Sequence, residues 1–115
     1  MIPNRPQRLG ELLKEEIIAI LSKRVRDPRI GFITINEVAV SPDLRSAVVY
    51  YTIIGSDKQK EQAALALEKT SGFIRRELML LHLNVKHLPA LTFRYDTSID
   101  YGERIDNVLR KLKHL

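Results

Sequence analysis

The stretch QKEQAALALEKTSGFIRRELMLLHL, residues 59–83, decides the fold. Its apolar residues recur at alternating spacings of three and four, which predicts one long helix with a single buried stripe. The predicted stripe comprises Ala64, Leu67, Ser71, Ile74, Leu78 and Leu81. Thr70-Ser71-Gly72 interrupts this helix, because glycine costs about 1 kcal/mol relative to alanine and a Ser-Gly pair is a known site of kinks.

The glycine of this interruption has two open explanations. Gly72 either permits close packing against a neighbouring element, or allows a bend that presents Arg75 and Arg76 to a polyanion. Taken alone, the residues favour the packing explanation.

Length and composition indicate one domain in a reducing compartment. The hydrophobic share of 44% is enough for one core. A chain of 115 residues is too short for two domains. Cysteine is absent, which excludes disulfides and thiolate metal sites. No apolar run approaches the ~20 residues of a spanning helix, and the start of the chain does not resemble a signal peptide. We therefore expect a cytoplasmic protein with no membrane partner.

The charge balance points to an anionic partner. Nineteen Lys and Arg residues against fourteen Asp and Glu residues give a net charge of +5. Such a balance suits nucleic acid first and an anionic membrane surface second. A modest positive charge also keeps a small protein soluble. The positions of the cations therefore have to distinguish an anionic partner from simple solubility.

Helices are predicted at both ends of the chain. Residues 1–7 are expected to form a flexible basic arm, because two prolines disfavour a helix. The first helix should run over about residues 8–26 and end at Asp27-Pro28, since the residue before proline is pushed out of the helical region. A last helix with a basic tail is predicted over residues 99–115.

Three strands are predicted between these helices. The first opens at Gly31, and a phase slip of its apolar residues at Asn36-Glu37 predicts a β-bulge. The second, residues 45–54, is apolar on both faces, which is typical of a central strand. The third, residues 91–95, returns after a long helical crossover that permits parallel pairing. The predicted class is α+β, with order α-β-β-α(kinked)-β-α and helices mainly on one face of a three-stranded sheet.

A catalytic constellation is hard to assemble from this sequence. His82 and His87 are five residues apart near a helix end, a spacing that does not direct two imidazoles to one metal. The glycines are too scattered for a phosphate loop, and Ser71 has no activating partner nearby in sequence. We predict a protein that is not an enzyme, with no catalytic residues, cofactor, metal or small-molecule substrate.

The element order and the interrupted helix resemble the type II KH domain, whose members clamp RNA with a GXXG loop. Here Thr70-Ser71-Gly72 stands in place of that loop. One KH-like family, the bacterial ribosome-binding factor A, has an Ala-x-Gly kink at this point, and this chain resembles that family nearly end to end. The motifs that carry the resemblance are Asp27-Pro28-Arg29, Gly31-Phe32, Val40-Ser41-Pro42-Asp43-Leu44, Ser71-Gly72-Phe73-Ile74-Arg75 and residues 88–98. Departures are Thr70 for the usual alanine, and Lys86 and Ala90 for a common arginine and glutamate.

The resemblance implies a function in ribosome biogenesis. Such a protein binds the free small (30S) ribosomal subunit and assists late 16S rRNA processing and folding, including the 5′ end, and matters for cold adaptation. It implies a single KH-like RNA-binding domain over residues 1–115, a monomer that does not itself cleave RNA. The alternatives are a generic KH-type single-stranded RNA-binding protein, an RNA-processing enzyme, and an interaction domain that pairs through the strand at residues 48–54.

Three groups of residues are the candidate RNA-binding site, and their expected role is to neutralise phosphate. The arm cluster is Arg5, Arg8 and Lys14; the exit cluster is Lys23, Arg24, Arg26 and Arg29; the kink cluster is Ser71, Gly72, Arg75 and Arg76. Any single member can also be an ordinary solvated side chain.

Overall fold

The computed structural model describes residues 4–83 and 85–97. Over these residues the elements are α1 (Arg5–Lys23), β1 (Ile33–Val40), β2 (Ser46–Ile53), α2 (Asp57–Leu80) and β3 (Ala90–Tyr95). The predicted α+β class and the order of these elements are confirmed. The predicted last helix, residues 99–115, lies outside the described residues.

β2 is the central strand of a three-stranded sheet. It pairs antiparallel with β1 and parallel with β3, which confirms both the central position and the parallel return. Buried side chains alternate with half-buried ones along β2, so its inner face packs on the core and its outer face stays open. β1 occupies one hydrogen-bonding edge of β2 over residues 47–53 and β3 occupies the other over residues 46–51, which leaves little of residues 48–54 to pair with another molecule.

The predicted β-bulge is confirmed by a shift of the β1–β2 register between Ile35 and Glu37. The bulge leaves Asn36 without a cross-strand partner, and its side-chain amide donates a 2.8 Å hydrogen bond to Oδ2 of Asp96. The Asp96 backbone N–H donates in turn to the carbonyl of Tyr51 at 2.8 Å. The bulge therefore ties β1 to the end of β3 across the central strand.

α1 starts earlier than the sequence predicts. Asn4 is its N-cap: Oδ1 of Asn4 accepts from the Gln7 N–H at 3.0 Å, and Oε1 of Gln7 accepts from the Asn4 N–H at 3.2 Å. Pro6 lies in the first turn, where the N–H that proline lacks would have no helical partner anyway. Assigning residues 5–7 to an arm is therefore wrong. The helix also stops at Lys23 rather than at residue 26.

α2 begins at Asp57, two residues before the predicted stretch, with Ser56 as its N-cap. It then runs without a break through the Thr70-Ser71-Gly72 segment, whose hydroxyls bond within the helix: Thr70 to the Ala66 carbonyl and Ser71 to the Glu68 carbonyl, both at 2.7 Å. The buried stripe differs from the predicted one and comprises Ala63, Ala66, Leu67, Ile74 and Leu78. Ala64 and Leu81 are exposed, because the stripe begins one residue earlier and the helix ends before Leu81.

Gly10 and Gly72 differ in how much space a side chain would have. A Cβ atom built on Gly10 would collide with the backbone carbonyl oxygen of Val38, so this glycine lets α1 pack directly on β1. A Cβ atom on Gly72 would meet nothing within 4 Å. The packing explanation of Gly72 is therefore wrong, and the glycine that close packing requires is Gly10.

These surroundings predict different effects of the same substitution. Gly10→Ala should lower the free energy of unfolding by about 1–3 kcal/mol, because a backbone carbonyl cannot swing aside as a side chain can. Gly72→Ala, the matched control in an exposed part of a helix, should leave stability unchanged or raise it by up to about 1 kcal/mol. Urea unfolding followed by circular dichroism measures both. Equal effects would contradict the assigned contact between α1 and β1.

Candidate nucleic-acid interface

The arm cluster lies along the first half of α1. Arg5 and Arg8 are exposed, whereas Lys14 is half-buried and lines a groove between α1 and β1. α1 has 19 residues, so it is about 28 Å long; it separates Arg5 and Arg8 from the exit cluster by most of its length and Lys14 by about half of it. The two clusters are therefore distinct surfaces rather than one patch.

Arg29 of the exit cluster is paired with Asp27. Its Nη2 lies 2.7 Å from Oδ2, its Nε donates to Oδ1 at 3.0 Å, and its backbone N–H donates to the same Oδ1 at 3.0 Å. Hydrogen bonds from the Arg29 side chain hold the pKa of the Asp27 carboxyl below its ordinary value. Asp27 thus stays charged at neutral pH and fixes the turn, while it compensates the charge of Arg29.

Arg24 connects the end of α1 to α2. Its Nη2 donates to Oε1 of Glu77 at 3.2 Å. The Arg24 side chain is 62% exposed, so this pair adds little to stability. Within the described part of the chain, the exposed Lys23 and Arg26 make no ion pair. These two are the uncompensated cations of the exit cluster.

The structure divides the kink cluster between two sides of α2. The Arg75 guanidinium donates to the carbonyl oxygens of Pro89 at 2.8 Å and Leu88 at 3.2 Å, just before β3 begins. Ser71, on the same side, lines a groove with Leu91 and other β3 residues. Arg75 therefore anchors the return of the chain to the sheet, a role that the sequence does not reveal.

The other side of α2 faces the end of α1. Arg76 is exposed, and Lys69 lies seven residues before it, two helical turns away on the same face. The charge of Lys69 makes only a minor contribution to lowering the pKa of Asp27, after the hydrogen bonds from Arg29. Sequence analysis missed Lys69, although its spacing from Arg76 was a usable signal.

The basic residues where the end of α1 meets α2 form the surface that we call the junction surface. Its members are Lys23, Arg26, Arg29, Lys69 and Arg76. No charged side chain among residues 4–83 and 85–97 is buried, so these cations are carried at the surface. A group of accessible cations on rigid elements can neutralise several phosphates of one folded polyanion. Which individual residues touch RNA stays a prediction.

Neither a metal site nor a membrane-spanning helix is found in the part of the chain that the structure describes. There, no three His, Cys, Asp or Glu side chains come together as a metal site. Of the described helices, neither has the length and apolar character needed to cross a membrane.

The fold and the junction surface define a class: small basic α+β domains suited to a structured polyanion. The family model described as ribosome-binding factor A matches residues 5–109. The ribosome-binding factor A of Staphylococcus epidermidis is 43% identical over 108 residues, which cover 94% of this chain and 92% of the relative. This chain belongs to the ribosome-binding factor A family.

Solved structures share the fold of this chain. The crystal structure of ribosome-binding factor A from Thermus thermophilus has a TM-score of 0.68 at 23% identity and covers 78% of this chain and 93% of its own. A homology model of the Thermus thermophilus protein, fitted into the cryo-EM map of a 30S–RbfA complex, has a TM-score of 0.57 at 26% identity. It covers 79% of this chain and 90% of its own.

The different contacts of Arg75 and Arg76 predict different stabilities. Arg75→Ala should lower the free energy of unfolding by about 1–3 kcal/mol, because it leaves the Leu88 and Pro89 carbonyls without their charged donor. Arg76→Ala, the adjacent and exposed control, should change it by less than about 0.5 kcal/mol. Thermal and urea unfolding measure both variants. An Arg75 variant as stable as the wild type would remove the anchoring role.

Proposed function

We propose that this chain binds the free small ribosomal subunit and assists the late maturation of 16S rRNA, including processing at the 5′ end. The observation that carries the proposal is family membership over nearly the whole chain. A 30S complex of the Thermus thermophilus relative supports the choice of subunit. The junction surface supports rRNA as the component that is contacted.

The proposed mechanism is selection of one rRNA conformation. The cations are carried by two packed helices and the loop after α1, whose backbone the fold holds in place, so they bind best to the rRNA arrangement that places phosphates opposite them. Binding that favours one conformer shifts the population toward it. Misfolded RNA is trapped more deeply in the cold, which gives the protein a role in cold adaptation. In this mechanism the chain acts as a cytoplasmic monomer and cleaves no bond.

Co-sedimentation with purified small subunits, large subunits and joined ribosomes over a salt series tests the proposal. Selective association with free small subunits is expected, and the affinity should fall as salt rises because bound phosphates exchange their counterions. Equal association with all three particles would favour the generic RNA-binding alternative. Incubation with precursor rRNA tests the enzymatic alternative, since cleavage by the purified protein would contradict the proposed mechanism.

The Asp27–Arg29 pair predicts a variant that binds more tightly. Asp27→Asn removes the negative charge that compensates Arg29 but keeps an oxygen for the backbone hydrogen bond of the turn. Affinity for small subunits at low salt should rise, and the slope of log affinity against log salt should steepen by up to about 0.7–0.9. Glu61→Gln, at an exposed position on α2, makes the same change of net charge away from the junction surface. An identical gain from Glu61→Gln would show a general charge effect instead.

A further inference from the structure

Two apolar side chains are more exposed than the other exposed large hydrophobic residues of the described chain. Phe32 is 83% exposed and Ile54 is 85% exposed, the highest values among the large hydrophobic residues of the described chain. Ile33 pairs with Ile53 at the end of the β1–β2 ladder. The antiparallel register therefore places Phe32 opposite Ile54, one residue beyond that pair.

The placement of this apolar pair follows from strand alternation. Ile53 is buried in the core, with 7% of its surface exposed. Successive side chains of a strand point to opposite faces, and continuing this alternation by one residue beyond β1 and β2 assigns Phe32 and Ile54 to the open face of the sheet. Single exposed hydrophobic residues are common on proteins and need no explanation. An aromatic ring and a branched side chain at adjoining positions of this end of the sheet, 83% and 85% exposed, form an apolar surface that the described residues leave uncovered.

The surroundings of Phe32 are basic. Residues 23–29, just before it in the chain, carry four cations and one carboxylate. Gly31, with φ of +47°, turns the chain between this loop and Phe32. Arg26 and Gly31 also line a groove of about 630 Å³ between α1 and β1. An exposed aromatic ring next to arginines is the combination that binds unpaired nucleotides, with the base on the ring and the phosphates at the cations.

We propose that Phe32, flanked by Ile54, is a stacking platform for one unpaired base of the rRNA, with Arg26 and Arg29 at the adjoining phosphates. The inference rests on the proposed function and names its ligand as an unstacked, single-stranded nucleotide. The positive charge around the ring favours RNA over a protein partner. This platform lies on the open face of the sheet at the end of β1 and β2, away from the Thr70-Ser71-Gly72 segment of α2.

Substitutions of Phe32 distinguish stacking from simple apolar contact. Phe32→Ala and Phe32→Leu should weaken binding to protein-free small-subunit rRNA by about five- to a hundred-fold, whereas Phe32→Tyr should keep wild-type affinity. The salt dependence should not change, because no charge is altered. Since the side chain is exposed, all three variants should fold as the wild type does. Leu80→Ala, which removes an apolar side chain that is 69% exposed at the end of α2, is the matched control and should have no effect.

A tryptophan at the same position reports stacking directly. The chain contains no tryptophan, so Phe32→Trp introduces a single fluorophore that can be excited apart from tyrosine. Its fluorescence should be quenched by a short single-stranded oligoribonucleotide and much less by the same strand annealed to its complement. Leu80→Trp, titrated in the same way, should not respond. Equal quenching of both reporters, or quenching by the duplex alone, would overturn the platform.

The outcomes separate this inference from the proposed function. If the wild type selects free small subunits but Phe32→Ala binds equally well, the platform is wrong and the proposed function stands. If the wild type binds no ribosomal particle, the proposed function fails, and the oligoribonucleotide titration still decides the platform. If Phe32→Leu keeps full affinity, or if Phe32→Ala weakens binding to intact subunits but not to protein-free rRNA, the partner of the ring is a protein and the inference is overturned.

Discussion

The parallel pairing of β2 with β3 is the constraint on which the rest of the structure depends. Parallel neighbours cannot be joined by a tight turn, so the chain has to travel back along the sheet before β3 can start. α2 makes that return: its 24 residues span about 36 Å, and its buried stripe closes the core. The Arg75 guanidinium then secures the loop before β3 through two backbone carbonyls. The crossover therefore determines both which face of the sheet α2 covers and which face of α2 points outward.

The helical repeat explains why the neighbouring residues Arg75 and Arg76 of α2 have different surroundings. A step of one residue turns the side chain by about 100°, so Arg75 faces the loop before β3 while Arg76 does not. Contiguity in sequence is thus a poor guide to a surface on a helix, and spacing is a better one. Lys69 and Arg76 share a face because they are seven residues apart, and Glu77, which pairs with Arg24 at the end of α1, lies one step of about 100° further round the helix. A cation-bearing surface arises where two helices meet, not where two arginines adjoin.

Features that depend on local chemistry or pattern could be predicted from the sequence. The bulge followed from a change in apolar phase at Asn36, and the central strand from apolar residues on both faces. Features that depend on a distant partner could not be predicted. The need for glycine at Gly10 comes from the Val38 carbonyl, and the anchoring role of Arg75 comes from carbonyls more than ten residues away. The start of α1 was missed for a different reason: proline was treated only as a helix breaker, although it fits the first turn.

The basic residues differ in which existing partners they would have to release in order to bind a phosphate. Arg26, Lys69 and Arg76 have no anionic partner that must be given up within the described residues. Arg24 and Arg29 are held by carboxylates in exposed pairs, which contribute little in water, so exchange of the carboxylate for a phosphate costs little. Arg75 is different, because releasing it would leave two backbone carbonyls without their donor at a partly buried site. A count of basic residues therefore overstates the charge that is available to RNA. The number of cations free to bind phosphate depends on the partners that each cation already has.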